Sequence, residues 1–347
     1  MTAFVKLVRG PWLSGSSGSF PLDTHYRWLL GSLVCVWSLA SWSYSQDADF
    51  RAQRSAAGIE ILEADSKVLF FQTQEKSLDG KWPRANYVHP LYGLDGQVLT
   101  EDFPADHRHH RGIFWAWHQL RWQGQQMADP WICRDIQWLP PEQGDGIRFR
   151  AEGAQATLEV TRDWSVPQQD PAAPRLRLVR ENVKIVVHPV REGARPIDFV
   201  LKLRGLRPEV AIGGSEDVKG YGGFSPRLRL PEDLRFLAQT GPVVPQKTAV
   251  EGGAWMNFAG DFEQQPWGVA LLCHAANPDF PTKWILRAKN SMQNAAWPGR
   301  EPVTLETEHD LVLRYRLLVH RGQLTTEQVN AAWKQFVPAA QQAPEAK

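Results

Sequence analysis

Charge of one sign is scarce in this chain of 347 residues: 39 Lys and Arg stand against 38 Asp and Glu, a formal net charge of +1. No block of like charge occurs, so the electrostatics make no case for a nucleic-acid partner. Cysteine is also scarce, at 3. A chain of this length can bury a sufficient core without disulfide staples. Cys35 falls in an N-terminal apolar run, which leaves Cys133 and Cys273 to form one disulfide outside the cytoplasm or to be two buried thiols. Beyond that run no segment approaches membrane-spanning length. HExxH and GxxxxGK[ST] are both absent, and with them the best-defined metal and phosphate signatures. There is no internal repeat, and helix-period segments are rare.

The apolar run at the N-terminus reads as an export signal. Arg27 precedes "WLLGSLVCVWSLASWSYS". Ser43 and Ser45 suit the −3 and −1 positions of a cleavage site, with Gln46 as the first mature residue. The polar stretch before it suggests a start codon downstream of Met1. An uncleaved anchor is the rival reading, near the lower length limit for a span. A lipid-modified Cys35 is disfavoured by Val34 before it. The expectation is a signal peptide over 1–45, a periplasmic or secreted location, and no other membrane contact.

From about residue 58 the pattern is period two or short apolar runs. "IEILEADSKVLFFQTQ" predicts two strands around a turn at Asp65 and Ser66, and "IRFRAEGAQATLEVTRDWSV" a hairpin. In "LVLRYRLLVH", Leu311, Leu313, Tyr315, Leu317 and Val319 share one face, and Arg314, Arg316 and His320 the other. Strands follow one another with Pro, Gly and Asp turns between. This predicts an all-β fold, a large antiparallel β-sandwich in one domain over 46–338, rather than βαβ units. One helix closes it: Thr325 with Gln328 forms a capping box, and Val329, Ala332, Trp333 and Phe336 recur at helical spacing. The tail 339–347 reads as disordered.

Three polar stretches interrupt the strands. In "DFPADHRHHRGIFWAWHQL", residues 102–120, lie 4 of the chain's 10 histidines: His107, His109, His110 and His118. If 107–111 is extended, His107, His109 and Arg111 share a face. His107 and His109 could then hold a divalent metal, with His274, Glu216 or Asp106 as third ligand. Without a metal, His109 or His110 is the candidate general acid or base, since a neutral imidazole exchanges protons near pH 7. Arg111 would bind a carboxylate or developing negative charge. Trp115 and Trp117, two apart, would stack on a sugar; core packing is the alternative for any one Trp.

The second stretch, "GGSEDVKGYGGFSPRLRL" (213–230), sets Glu216, Asp217, Lys219 and Tyr221 between glycines that admit close backbone approach. Glu216 or Tyr221 would be the opposing acid–base partner, with a solvated turn as the alternative. In the third, "CHAANPDFPTKWILR" (273–287), His274 ends an apolar strand, and Trp284 and Arg287 fall on opposite faces.

Together "HPLYGLDGQVLTEDFPADHRHHRGIFWAW", "KGYGGFSPRL" and "HAANPDFPTKW" resemble the PmoA-like family, whose members bear the name methane oxygenase PmoA and are largely exported bacterial proteins. His89, Asp106, His107, His109, His110, Arg111, Gly112, Lys219, Tyr221, Gly222, Gly223, His274, Asn277 and Trp284 fall on the matching positions. Relatives typically have Pro where this chain has Arg108, which implies a more flexible loop. The resemblance implies that His89, Lys219, His274, Asn277 and Trp284 join Trp115 and Trp117 in binding substrate. It does not imply an integral-membrane methane monooxygenase subunit, because one N-terminal apolar run cannot build a multi-span protein. The predicted sandwich is similar to the galactose-mutarotase type, which implies sugar chemistry by fold analogy alone. The resulting expectation is an exported carbohydrate-active enzyme of epimerase, lyase or hydrolase type. A metal-dependent hydrolase or oxidase and a non-catalytic sugar-binding module are the alternatives.

Overall fold

A computed structural model describes residues 49–262 and 265–338. The signal-peptide and tail expectations, 1–45 and 339–347, lie outside the described residues. All the described residues belong to one unit, Gln46–Lys347.

Two antiparallel sheets form the body. The first runs Phe50–Arg54, Gly58–Glu63, Ser66–Gln72, Tyr87–Leu91, Ile113–Ala116, Gly223–Pro226, Asn294–Ala296 and Lys283–Ile285. The second centres on four long neighbours, Gln155–Val166, Leu176–Val187, Ala194–Gly205 and Leu311–Arg321, and continues through Gln265–Cys273 and Trp255–Phe262. Period-two patterning explains the pairing: in Leu311–Arg321 the buried Leu313, Tyr315, Leu317 and Val319 all point into the main core. Aromatic rings carry that core from sheet to sheet. Phe224 of the first stacks on Tyr315 of the second at 4.6 Å, and Trp115 meets Phe199 at 6.3 Å. This is a β-sandwich.

The single helix among the described residues, Thr326–Phe336, has its capping box at Thr325 and Gln328. It buries Val329 and Trp333 on the outer face of the second sheet, against Trp255, Leu272 and Leu318. Trp333 Nε1 donates to the Cys273 carbonyl at 2.9 Å, and Trp255 Nε1 to Asn330 Oδ1 at 2.8 Å. No helix among the described residues is long and apolar enough to cross a membrane. Cys133 and Cys273 are buried free thiols.

A smaller sheet matters for the site. Gln119–Trp122 pairs with Gln125–Ala128 and with Val210–Gly213. It brings the end of the histidine stretch beside the start of the glycine-rich stretch.

Candidate functional site

The histidine stretch is a turn, not an extended segment. His110 N–H donates to the His107 carbonyl at 2.9 Å, so all three rings come together, with His107 and His109 edge-on at 5.8 Å. His107 and His110 stack at 4.7 Å with planes 6° apart, and His109 meets His110 edge-on at 4.6 Å. Ion pairs hold the turn. Asp106 accepts from both terminal nitrogens of buried Arg227, at 2.8 and 2.7 Å, and from His107 Nδ1 at 2.7 Å. The chain then enters its strand through Gly112, at φ +54°, where a Cβ would stand 1.9 Å from the Val88 carbonyl oxygen. Only glycine fits there.

From His110 the rings continue inward. His110 faces Phe114 at 5.9 Å and Trp131 at 5.8 Å. His118 stacks on Trp131 at 5.4 Å, and Tyr221 closes on both His118 and Trp131 at 5.3 Å. The histidine and glycine-rich stretches therefore meet through Tyr221. The glycines of the second serve close packing: a Cβ on Gly214 would lie 2.4 Å from the Gly220 carbonyl oxygen.

His118 is the best-organised acid–base group. Its Nδ1 is 3.0 Å from Asp129 Oδ2, while Asp129 Oδ1 accepts the backbone N–H groups of Trp131 and Ile132 at 3.1 and 3.2 Å. The carboxylate fixes the proton on Nδ1 and leaves the Nε2 lone pair free. Nε2 is buried and has no hydrogen-bond partner, and neither has His110 Nδ1. Burial first, then the charge of Arg84, lowers His109 to about 4. Burial, with the neighbouring His109 and His107, pushes His110 well below the ordinary imidazole range. Both are neutral at pH 7 and act there as hydrogen-bonding groups, or as proton acceptors only for a strong acid.

Several expected site residues stand elsewhere. Arg111 is wholly buried: Nε pairs with Asp102, Nη1 donates to the Lys76 and Trp82 carbonyls at 3.2 and 3.0 Å, and Nη2 to the Tyr87 hydroxyl at 2.5 Å. It is a structural cation with little left to offer a ligand. Trp115 and Trp117 are core residues, not sugar platforms. Trp115 Nε1 is bonded to buried Glu181, and Trp117 Nε1 donates to the Trp297 carbonyl at 2.8 Å. Trp284 is buried too, with Nε1 3.2 Å from the Gly253 carbonyl oxygen. Asn277 pins its turn to the neighbouring strand, bonding Arg314 O and N at 2.8 and 2.7 Å. His274 is buried edge-on to Phe336 of the helix at 5.0 Å. Glu216 is exposed and paired with Arg121 at 2.7 Å. His89 sits on the Arg111 side of the loop, bonded to Thr100 Oγ1 at 3.0 Å, and burial lowers it to about 4.

The metal expectation does not fit the donors. The two rings expected to share a metal, His107 and His109, meet edge-on at 5.8 Å, and His107 Nδ1 is taken by Asp106. Among the described residues no group of three or more His, Cys, Asp or Glu side chains is arranged to hold a metal. His107 and His109 are therefore not assigned as ligands.

Lys219 leads to a cavity of about 480 Å³, lined by Asp217, Lys219 and Gly220 of the second stretch and Asp279, Pro281, Thr282 and Lys283 of the third, with Trp297 and Arg300. Lys219 Nζ lies 5.7 Å from the Tyr221 ring centre, so the cavity adjoins the ring cluster. Sequence reading passed over Asp129, Trp131 and Arg84, which fall outside the three stretches. The signal available for Asp129 was its position across a tight two-strand turn from His118, since Gln119–Trp122 and Gln125–Ala128 are paired.

No curated protein matches the chain. One family model matches residues 58–334, nearly the whole described body; the chain belongs to that family, DUF6807, a family of unknown function.

Proposed function

We propose that this protein is an exported carbohydrate-active enzyme of epimerase, lyase or hydrolase type in which His118, oriented by Asp129, is the general base. The observation that carries the reading is the free Nε2 of His118, whose ring is held by the Asp129 pair against both Trp131 and Tyr221. An imidazole whose second nitrogen is fixed by a carboxylate is the arrangement general-base catalysis needs. Tyr221, 5.3 Å from His118 between ring centres, is the partner acid or hydrogen-bond donor. His109 and His110, neutral at pH 7, hold ligand hydroxyls. The adjoining cavity is of a size ordinary for small polar ligands. The sandwich fold and the likeness of the three stretches to the PmoA-like family agree with this reading, and the apolar N-terminal run supports export.

The test is a screen of mono- and oligosaccharides with the mature protein, compared with His118→Ala and Tyr221→Phe. Turnover of one sugar class, reduced about 10²–10⁴-fold in His118→Ala with unchanged far-UV spectrum, is the expected result. Full turnover in that variant would overturn the assignment. Saturable binding with no chemical change would instead make the protein a sugar-binding module.

A further inference from the structure

The cavity beside the ring cluster carries more positive charge than the fold uses. Lys219, Lys283 and Arg300 line it, together with the carboxylates of Asp217 and Asp279. Neutral donors already serve those carboxylates. Asp279 Oδ2 accepts from Trp297 Nε1 at 3.0 Å, and Asp217 Oδ1 from the Ser215 hydroxyl and the Lys219 backbone N–H at 2.8 and 3.0 Å. The cations, in contrast, are paired only at long range. Lys219 Nζ is 3.4 Å from Asp217, Lys283 Nζ 3.6 Å from Glu251, and Arg300 Nε 3.8 Å from Glu301. Glu251 and Glu301 are exposed and stand outside the cavity lining. Structural cations of this fold are held closer: Arg227 is 2.7 Å from Asp106, and Arg316 2.6 Å from Asp198. Long, exposed ion pairs are worth little, so all three head groups can turn to a ligand.

The cavity offers room as well as charge, since about 480 Å³ is an ordinary volume for a small-ligand pocket. Its walls are tied together. Thr282 Oγ1 donates to the Ala296 carbonyl at 2.7 Å, and the Gly214 N–H to the Gly299 carbonyl at 2.7 Å. Pro281, Pro298 and Val218 add apolar surface, and Val218 is 79% exposed. Lys219 joins this cavity to the ring cluster. Its Nζ lies 5.7 Å from the Tyr221 ring centre, and that ring lies 5.3 Å from His118.

We propose that this cavity is an anion-binding subsite, in which Lys219, Lys283 and Arg300 hold the carboxylate or sulfate of an acidic oligosaccharide whose neighbouring unit lies at His118. This rests on the sugar reading above and narrows its substrate class from sugars to acidic oligosaccharides. Two ammonium groups and one forked guanidinium make charge-assisted hydrogen bonds to an anion, roughly twice as strong as those to a neutral hydroxyl. Pro281, Pro298 and Val218 would meet the C–H faces of the same sugar unit.

The experiment is calorimetric titration of the mature protein at constant ionic strength. The acidic ligands are trigalacturonate, trimannuronate and a sulfated galactose disaccharide. The controls are methyl-esterified trigalacturonate, galactotriose, acetate and inorganic sulfate. The expected result is saturation by an acidic oligosaccharide about tenfold or more tighter than by the neutral ones, and the ligand that saturates identifies the anion as carboxylate or sulfate. The double variant Lys283→Gln/Arg300→Gln should weaken that binding about tenfold or more and leave neutral ligands unchanged. Both side chains are exposed, at 65% and 64%, so Tm should hold. Lys184→Gln/Lys202→Gln removes the same charge from exposed positions of the second sheet and should change nothing. Equal binding of trigalacturonate and its methyl ester overturns the proposal and leaves the sugar reading standing. No acidic oligosaccharide bound up to ~10 mM overturns it as well. Equal weakening by the two double variants would reduce the effect to overall charge and also overturn it. Acetate or sulfate bound as tightly as the oligosaccharide, with loss in Lys283→Gln/Arg300→Gln, supports the anion site and removes the sugar reading.

Discussion

The histidines of residues 107–118 share a chemistry and differ in their surroundings. His107 and His118 each have Nδ1 fixed by a carboxylate, but only in His118 is the second nitrogen buried and without a partner. Asp129→Asn tests this without a substrate. Asp129 Oδ1 is claimed by two backbone N–H groups, so the amide oxygen must stay there and the NH₂ must face His118. The imidazole proton is then expected to move from Nδ1 to Nε2, which ¹⁵N NMR of the histidine ring reads directly. An unchanged tautomer would show that the carboxylate does not orient the ring. Turnover of the substrate, once found, should fall with the tautomer change. Arg111 makes the opposite case. Arg111→Met removes the buried partner of Asp102 and should lower stability by about 3–5 kcal/mol in a urea titration. Ligand affinity in folded Arg111→Met should be unchanged; selective loss of affinity at full stability would return Arg111 to the site.

At the scale of elements, the turn 107–110 and the helix Thr326–Phe336 were legible to different degrees. The helix declared itself because capping and period are local properties: Thr325 and Gln328 bond reciprocally, as their spacing requires. Thr325→Ala should cost about 1 kcal/mol, and Trp333→Ala about 3–5 kcal/mol by opening the contact with the second sheet. Thermal denaturation of the two variants checks both; equal small effects would mean the helix contributes little to the fold. Strand pairing was equally legible, since alternation over Ile147–Glu152, Gln155–Val166 and Leu311–Arg321 fixes which side chains face the core. The turn was misread. Alternation cannot see a hydrogen bond from His110 to His107 or an Arg227 that arrives from 121 residues away. The tryptophans illustrate the same limit. Sixteen Trp could be sugar platforms or core, and only packing showed that Trp115, Trp117 and Trp284 are core while Trp131 faces the histidines.

For the whole molecule, buried titratable groups set the pH dependence of stability. Burial lowers His89, His109 and His320 to about 4, from an ordinary 6.5. The unfolded chain therefore takes up protons first as pH falls, so their stabilisation is complete above about 6.5 and is lost toward 4. Glu181 acts in the opposite sense. It is wholly buried, bonded by the indoles of Trp115 and Trp164, and burial raises it to about 7 from 4.5 despite those donors. Its stabilisation is complete below about 4.5 and is lost as pH rises through 7. The histidines outnumber it, so Tm is expected to fall between pH 6.5 and 4. Glu181→Gln removes the opposing contribution, and the fall in Tm from pH 7 to 4.5 should be larger in that variant than in the wild type. An identical pH profile would mean that Glu181 does not titrate in this range.

The sequence by itself determined the all-β class, the strand faces, the closing helix and the two stretches that meet at the ring cluster. Those features follow from nearest-neighbour chemistry: period two, capping, turn residues and the grouping of histidines. Tertiary structure alone decided which polar side chains are satisfied. Arg111 and Asn277 have their hydrogen bonds taken by distant chain segments, while His118 and Arg84 keep nitrogens with no partner. Whether a buried polar group has a spare lone pair, donor or charge depends on groups brought from far along the chain. That surplus, invisible in residue order, is what marks the candidate site.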